Sequence, residues 1–329
     1  MKMLVIGDAQ RAEKYLPDMP FAKSCLVEVA ARGMSDDEIL DMAADADFIM
    51  ADAISPVSAH LIEHMPNLKL IHSEGVAYNA IDLDAARKAG VFVCNNAGVN
   101  AGAVAEQTVL LMLALLRRLV LGDRTERQGG QMRMKEQTMV EGMKELSECK
   151  VGLIGFGDIA RAAAERLRAF GCELYYTTPR RKSEELESRY GVRYLPLEEL
   201  VRTCDIISLH TPVTNETRGM VNRDFLSRMR PDALLINTAR GDLVDNEALR
   251  EAIIAGRIAG AGLDTVYPEP TTADNPLVDL PPECADRVIF SPHIGGITTS
   301  TFKRAHRLIW QSFEDVCQGK RPRNIVNGL

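Results

Sequence analysis

The sequence has no paired-cysteine motif, no membrane-length apolar run, no short repeat, no low-complexity tract and no excess of basic charge. Each absence removes a class of function. Seven cysteines (Cys25, Cys94, Cys149, Cys172, Cys204, Cys284 and Cys317) are scattered without a C-x-x-C pair, so they read as reduced, mostly buried small hydrophobes. The N-terminal run Leu4-Val5-Ile6 is too short for a signal-peptide core, and no segment reaches membrane-span length. A cytoplasmic protein is therefore expected. A net charge of −7 disfavours non-specific binding to nucleic acid or to an anionic membrane. What remains is an ordinary globular composition, 46% hydrophobic and 26% charged, over 329 residues, enough for two domains with separate cores.

The most informative stretch is Val151–Ala160. An apolar run ends at Gly155, passes through G-x-G-x-x-A and opens a helical pattern over 160–170. Gly155 permits the tight turn, Gly157 lets backbone approach a pyrophosphate, and Ala160 allows close helix–strand packing. The phosphates would rest on free N–H groups at the helix N-terminus, with Asp158 and Ile159 in its first turn. A preceding strand, a following helix closed by Gly171 and a second strand over 173–177 give this dinucleotide fingerprint its required context.

Alternation of short apolar runs with helical patterns predicts doubly wound parallel sheets. The first set of strands is expected at 3–6, 25–29, 48–51, 69–72 and 91–94, with a helix over 35–44 capped by Ser35 and Glu38. The second is expected at 151–154, 173–177, 205–209, 233–237, 259–263 and 288–290, with helices at 245–255 and 299–318. Between the sets, residues 102–121 read as one long apolar helix. Residues 122–147 are polar, loosely patterned and methionine-rich, which does not predict a stable element. So long a loop is uncommon in a compact domain, which favours an arm packed on a partner subunit.

Three blocks fall at the C-terminal ends of predicted strands, where open α/β sheets bind ligands: Asn237-Thr238-Ala239-Arg240-Gly241, Asp264 to Pro270, and Ser291-Pro292-His293-Ile294-Gly295-Gly296. With Gly75-Val76-Ala77-Tyr78-Asn79-Ala80-Ile81-Asp82, Val104-Ala105-Glu106, the fingerprint and His210-Thr211-Pro212, they make the chain resemble the D-isomer-specific 2-hydroxyacid dehydrogenases over nearly its whole length. The resemblance implies an α/β protein of two doubly wound, Rossmann-like domains. A discontinuous substrate domain would comprise residues 1–99 and 294–329. A dinucleotide-binding domain would comprise 100–293, with 102–147 serving homodimerisation and the substrate in a cleft that closes by a hinge. It also implies a dinucleotide site drawing on Val76, Gly155, Gly157, Asp158, Ile159, Thr177, Arg180, Arg181, His210, Thr211, Pro212, Thr217, Thr238, Ala239, Arg240, Asp264, His293, Gly295 and Gly296.

The chemistry of 2-oxo acid reduction calls for the same residue types. It needs a cation for the carboxylate, a hydride donor and an acid for the developing alkoxide. Arg240 presents a planar fork of donors. His293 carries a proton near neutral pH, and Glu269 would hold its second ring nitrogen. The resemblance adds Gly75, Val76 and Ala77 as the substrate loop, with the N–H groups of Val76 and Ala77 on the carboxylate. Ala77, where the family usually has glycine, is expected to narrow the pocket slightly.

Two departures bear on specificity. The acidic residue expected for NAD ribose hydroxyls is replaced by Thr177, followed by Thr178-Pro179-Arg180-Arg181. That favours NADP, with both arginines available for its phosphate, while NAD stays compatible. Phosphoglycerate-handling relatives carry arginine where this chain has Ser73, beside Glu74, so a phosphate would meet a carboxylate. With the chain ending at Leu329, this points to an unphosphorylated acid such as glyoxylate or hydroxypyruvate rather than 3-phosphoglycerate. His60-Leu61-Ile62-Glu63-His64 matches an inverted zinc-protease pattern, but Met65-Pro66 ends the helix and no further ligand follows, so no metal is expected. The rival to an enzyme is a dinucleotide-responsive corepressor-like binding protein.

Overall fold

The computed structural model describes all 329 residues. They form two compact units, Met1–Asn100 with Ile297–Leu329, and Ala101–Gly296.

In the first unit, strands β1 (Lys2–Ile6), β2 (Leu26–Ala30), β3 (Phe48–Ala51), β4 (Leu70–Ser73) and β5 (Phe92–Cys94) form a parallel sheet of order β2-β1-β3-β4-β5. This is the flavodoxin-like doubly wound order. β3 and β4 are buried along their whole length, because helices cover both faces of a parallel sheet. Helix Asp36–Ala43 starts on the Ser35–Glu38 capping box, and its Ile39 and Ala43 pack with Leu4, Ile49 and Ile71 on one face. The C-terminal helix Thr299–Cys317 covers the other, burying Ile309, Trp310 and Phe313 against Phe48 and Leu70.

In the second unit, β6 (Lys150–Ile154), β7 (Glu173–Thr177), β8 (Val192–Tyr194), β9 (Ile206–Leu209), β10 (Leu234–Asn237), β11 (Gly260–Leu263) and β12 (Val288–Phe290) are all parallel, in order β12-β11-β10-β9-β6-β7-β8. The order reverses between β6 and β9, which is the topological switch point of a Rossmann sheet. β8 is a three-residue strand that the sequence pattern did not signal, because Arg193 interrupts its apolar run.

The region between the sheets corrects two expectations. The apolar helix ends early, at Ala101–Leu116, and Arg118 at φ 48° turns the chain into a separate helix, Leu119–Arg127. Residues 122–147 are not a structureless arm either: Gln131–Glu141 is a second helix, joined to the first through Gly129 at φ 72°. Gln, Lys, Glu, Met and Arg are good helix formers without any apolar stripe. The periodic signal was missing because Gln131–Glu141 buries none of its residues.

Candidate active site

The site of the second unit begins at the switch point. Gly155 sits at φ +96°, and a Cβ there would lie 2.3 Å from the His210 carbonyl oxygen. The loops after β6 and β9 therefore touch, and only glycine lets them. Around Gly157 the backbone is open: an added Cβ would meet nothing within 4 Å. Helix Asp158–Ala169 has no side-chain cap, so its first-turn N–H groups are available to an anion. Ile159 is half-buried and Asp158 exposed, its carboxylate 3.7 Å from Arg161. An open glycine cradle against an uncapped helix N-terminus fits a dinucleotide pyrophosphate.

The loop after β9 is tied internally. Thr217 Oγ1 donates to the Pro212 carbonyl at 2.7 Å. His210 Nε2 lies 2.9 Å from Ser208 Oγ, and burial lowers the His210 pKa to about 4.

After β7, Thr177 is buried and its carbonyl accepts from the Gly155 N–H at 2.9 Å. Here the structure corrects the expectation of two available arginines. Arg181 grips Glu187 with two hydrogen bonds of 2.8 Å, and Tyr176 donates to the same carboxylate at 2.7 Å. The bond from Arg181 holds the Glu187 pKa down at about 2, against the upward push of burial. Glu187 lies ten residues past the end of β7, beyond the place where a ribose-binding acid is sought. Arg180 is exposed and its guanidinium makes no hydrogen bond or ion pair.

After β10, Asn237 shapes the next loop. Its side chain accepts from the Ala239 N–H at 3.0 Å and donates to the Arg240 carbonyl at 2.9 Å. Thr238 Oγ1 lies 2.9 Å from Thr108 Oγ1 of helix Ala101–Leu116. Arg240 is exposed, with one Nη donating to the Ala239 carbonyl at 2.7 Å. A Cβ on Gly241 would fall 2.3 Å from the Tyr267 nitrogen. The loop bearing Arg240 is thus pressed against the one that leads to Glu269.

Asp264, at the end of β11, organises the last block. Its Oδ1 accepts from Ser291 Oγ (2.5 Å) and the Ile294 N–H (3.1 Å), and its Oδ2 from the Gly295 N–H (2.9 Å). Its carbonyl accepts from the His293 N–H at 2.7 Å. His293 is held at φ 54°, a conformation that non-glycine residues adopt at a cost, typically about 1–3 kcal/mol. Its Nδ1 lies 2.8 Å from Glu269 Oε2, and both side chains are nearly half exposed. Nε2 of His293 makes no hydrogen bond within the protein, so the acid–base pair has one nitrogen oriented and the other available. Gly296, the last residue of the unit, is half-buried.

In the first unit, Gly75, Val76 and Ala77 follow β4. Ser73 Oγ donates to the Ala77 carbonyl at 2.6 Å, and the Gly75 N–H lies 3.3 Å from the same hydroxyl. Asn95 donates to the Val76 carbonyl at 2.7 Å. The N–H groups of Val76 and Ala77 bond to nothing in the protein. Glu74 is not an open carboxylate, as the sequence reading supposed: it is buried and paired with Arg11 and His306. His60, on the five-residue helix Ala59–Glu63, and His64, which caps its C-terminus, are exposed. One lies 3.3 Å from Asp37, and the other's Nδ1 lies 2.8 Å from the His60 carbonyl.

Comparison with known proteins bears on the same residues. Residues 109–295 match the family model described as D-isomer specific 2-hydroxyacid dehydrogenase, NAD binding domain. The chain is 35% identical over 290 residues to a glyoxylate reductase of Korarchaeum cryptofilum, covering 88% of this chain and 85% of that one. It is 34% identical over 280 residues to a hydroxypyruvate reductase of Thermotoga maritima, covering 84% and 87%. The crystal structure of D-lactate dehydrogenase with NAD+ from Lactobacillus jensenii superposes with a TM-score of 0.83 at 26% identity, covering 99% of each chain.

Proposed function

Because the chain belongs to the D-isomer-specific 2-hydroxyacid dehydrogenase family, we propose that it reduces a small unphosphorylated 2-oxo acid, of the glyoxylate or hydroxypyruvate kind, to the D-2-hydroxy acid. The chain is an NAD(P)-dependent oxidoreductase of that family. The observation that carries the assignment of roles is the 2.8 Å contact between His293 Nδ1 and Glu269, on loops at the C-terminal ends of the sheet that bears the dinucleotide fingerprint.

When bound, the nicotinamide dinucleotide supplies the hydride. Gly155, Gly157, Asp158 and Ile159 would hold its phosphates, the loop 210–217 and residues 238–240 would line its further course, and Thr177 and Arg180 would meet its ribose end. Asp264 acts by fixing the 291–296 loop. The N–H groups of Val76 and Ala77 hold the substrate carboxylate together with Arg240, whose guanidinium also polarises the ketone oxygen. Glu269 orients the His293 ring, and Nε2 of that ring gives its proton to the alkoxide as hydride arrives. In the opposite direction the same nitrogen takes the hydroxyl proton.

Ser73 supports an unphosphorylated substrate: it turns inward to brace the loop, donating to the Ala77 carbonyl. Arg180, exposed and unpaired, supports NADP. The reading includes a homodimer formed through the helices Leu119–Arg127 and Gln131–Glu141, and a cytoplasmic protein with its seven cysteines free.

The test crosses NADH and NADPH with glyoxylate, hydroxypyruvate, bulkier 2-oxo acids and a phosphorylated one, followed by absorbance. Oxidation with the unphosphorylated acids is expected. Tight dinucleotide binding without oxidation by any acid would favour a corepressor-like binding role. His293→Ala is expected to slow reduction by about 10²–10⁴-fold, the usual worth of a positioned acid, with dinucleotide affinity unchanged.

A further inference from the structure

Behind the Gly75–Ala77 loop lies a cluster that the reaction above leaves unused, with the side chains of Glu74, Asp52 and His306 buried and that of Arg11 partly exposed. Arg11, in helix Ala9–Lys14, grips Glu74 with Nε 2.9 Å from Oε1 and Nη2 2.7 Å from Oε2. His306, in helix Thr299–Cys317 and wholly buried, places Nε2 2.8 Å from the same Oε1. Arg11 Nη2 also lies 3.7 Å from Asp52 Oδ2, the oxygen that Arg32 also binds. The aromatic ring of Phe302 lies 5.9 Å from the Arg11 guanidinium, and Tyr15 stacks on Phe302.

Two chain-distant segments thus converge on the residue immediately before the substrate loop. For stability alone this is a poor arrangement, since buried ion pairs contribute less than apolar packing of the same volume. His306 Nδ1 is also left buried without a partner. An Nε2–H tautomer accounts for that geometry: it donates to Glu74 and leaves Nδ1 as a bare acceptor. The rest of the loop hangs on neutral hydrogen bonds from Ser73, Asn95 and Asn96. A Cβ on Gly75 would lie 2.7 Å from Ala53 Cβ, so the peptide following Glu74 has little room to shift.

We propose that Arg11 and His306 are positioning residues which, by locking Glu74, hold the N–H groups of Val76 and Ala77 in the orientation that binds the substrate carboxylate. The inference rests on the reading of that loop as the carboxylate grip. Directional donors lose affinity steeply when tilted, so a loop held by charge-assisted bonds binds better than one held by neutral ones alone.

The experiment uses the full chain, with whichever of glyoxylate and hydroxypyruvate it turns over. Glu74→Gln and Arg11→Met are expected to raise KM about tenfold or more, with kcat changed less than about threefold and NADPH affinity preserved. Arg11→Lys, which keeps the charge but not the two-pronged grip, is expected to fall between Arg11→Met and the parent. It also serves if Glu74→Gln does not fold, since Arg11 is partly exposed. Folded variants with the parent KM would overturn the proposal, as would a lowered melting temperature with apparent kcat falling in proportion to folded protein and KM unchanged. Ala77→Pro, which deletes one N–H, separates the two readings. If it too leaves KM unchanged, the carboxylate grip itself fails. If it raises KM while the Glu74 and Arg11 variants do not, only the positioning role fails.

Discussion

Two glycines of one fingerprint answer to different constraints. Gly155 is required by the fold, through its φ of +96° and the His210 carbonyl 2.3 Å from any Cβ. Gly157 is not, since a methyl there would meet open space. Gly155→Ala is therefore expected to lower the melting temperature and weaken dinucleotide binding together, at a cost above about 1 kcal/mol. Gly157→Ala is expected to melt like the parent but raise the NADPH Kd about tenfold, because its methyl occupies the space the pyrophosphate needs. Calorimetry and a fluorescence titration check both. Arg180 and Arg181 also differ, although they are neighbours. Arg180→Ala is expected to raise the NADPH Kd while leaving that of NADH nearly unchanged. Arg181→Ala is expected to weaken both cofactors, since it frees the buried Glu187 and loosens the loop after β7. Equal effects of Arg180→Ala on the two cofactors would remove the phosphate-reading role. The sequence showed both arginines but could not show that one was already engaged, because Glu187 reaches it only once Glu184–Tyr190 has coiled.

Among the elements, the strands and their strand-end loops were legible because parallel strands buried on both faces read as short apolar runs between turn signals. The helices between the two sheets were not. Gln131–Glu141 buries nothing and exposes Met132, Met139 and Val140, and the neighbouring helix exposes Leu119 and Val120. Between them lies a groove of about 450 Å³ lined by Met134, Met139 and Met143. A helix without a buried face gains little from its own chain, and flexible methionines suit a second surface. If the proposed homodimer forms through these helices, deleting 127–143 is expected to leave monomers where the parent is dimeric, read by light scattering. A deletion variant that stays dimeric would place the interface elsewhere.

For the whole molecule, two buried histidines make a pH dependence that the sequence did not announce. Burial lowers the pKa of His72, in β4, and of His210, after β9, from 6.5 to about 4. Between those values the unfolded chain binds protons that the folded chain does not, so each group's contribution is complete above about pH 6.5 and is lost as pH falls toward 4. Each adds a slope of up to about 1.4 kcal/mol per pH unit in that window. The melting temperature is expected to fall from pH 6.5 to 4, and His72→Asn should flatten part of that decline. An unchanged slope in that variant would show that His72 is not one of the groups responsible.

The sequence by itself determined the doubly wound architecture, the dinucleotide fingerprint and the family, because those depend on apolar periodicity and on residue types at fixed local spacing. Tertiary structure alone decided which charges are available and which are engaged. Glu187 takes Arg181, Arg11 and His306 take Glu74, and Asp264 spends its carboxylate on the loop of His293. These pairings join separate stretches of the chain, one of them more than two hundred positions apart, and only the packed chain brings them within hydrogen-bonding reach.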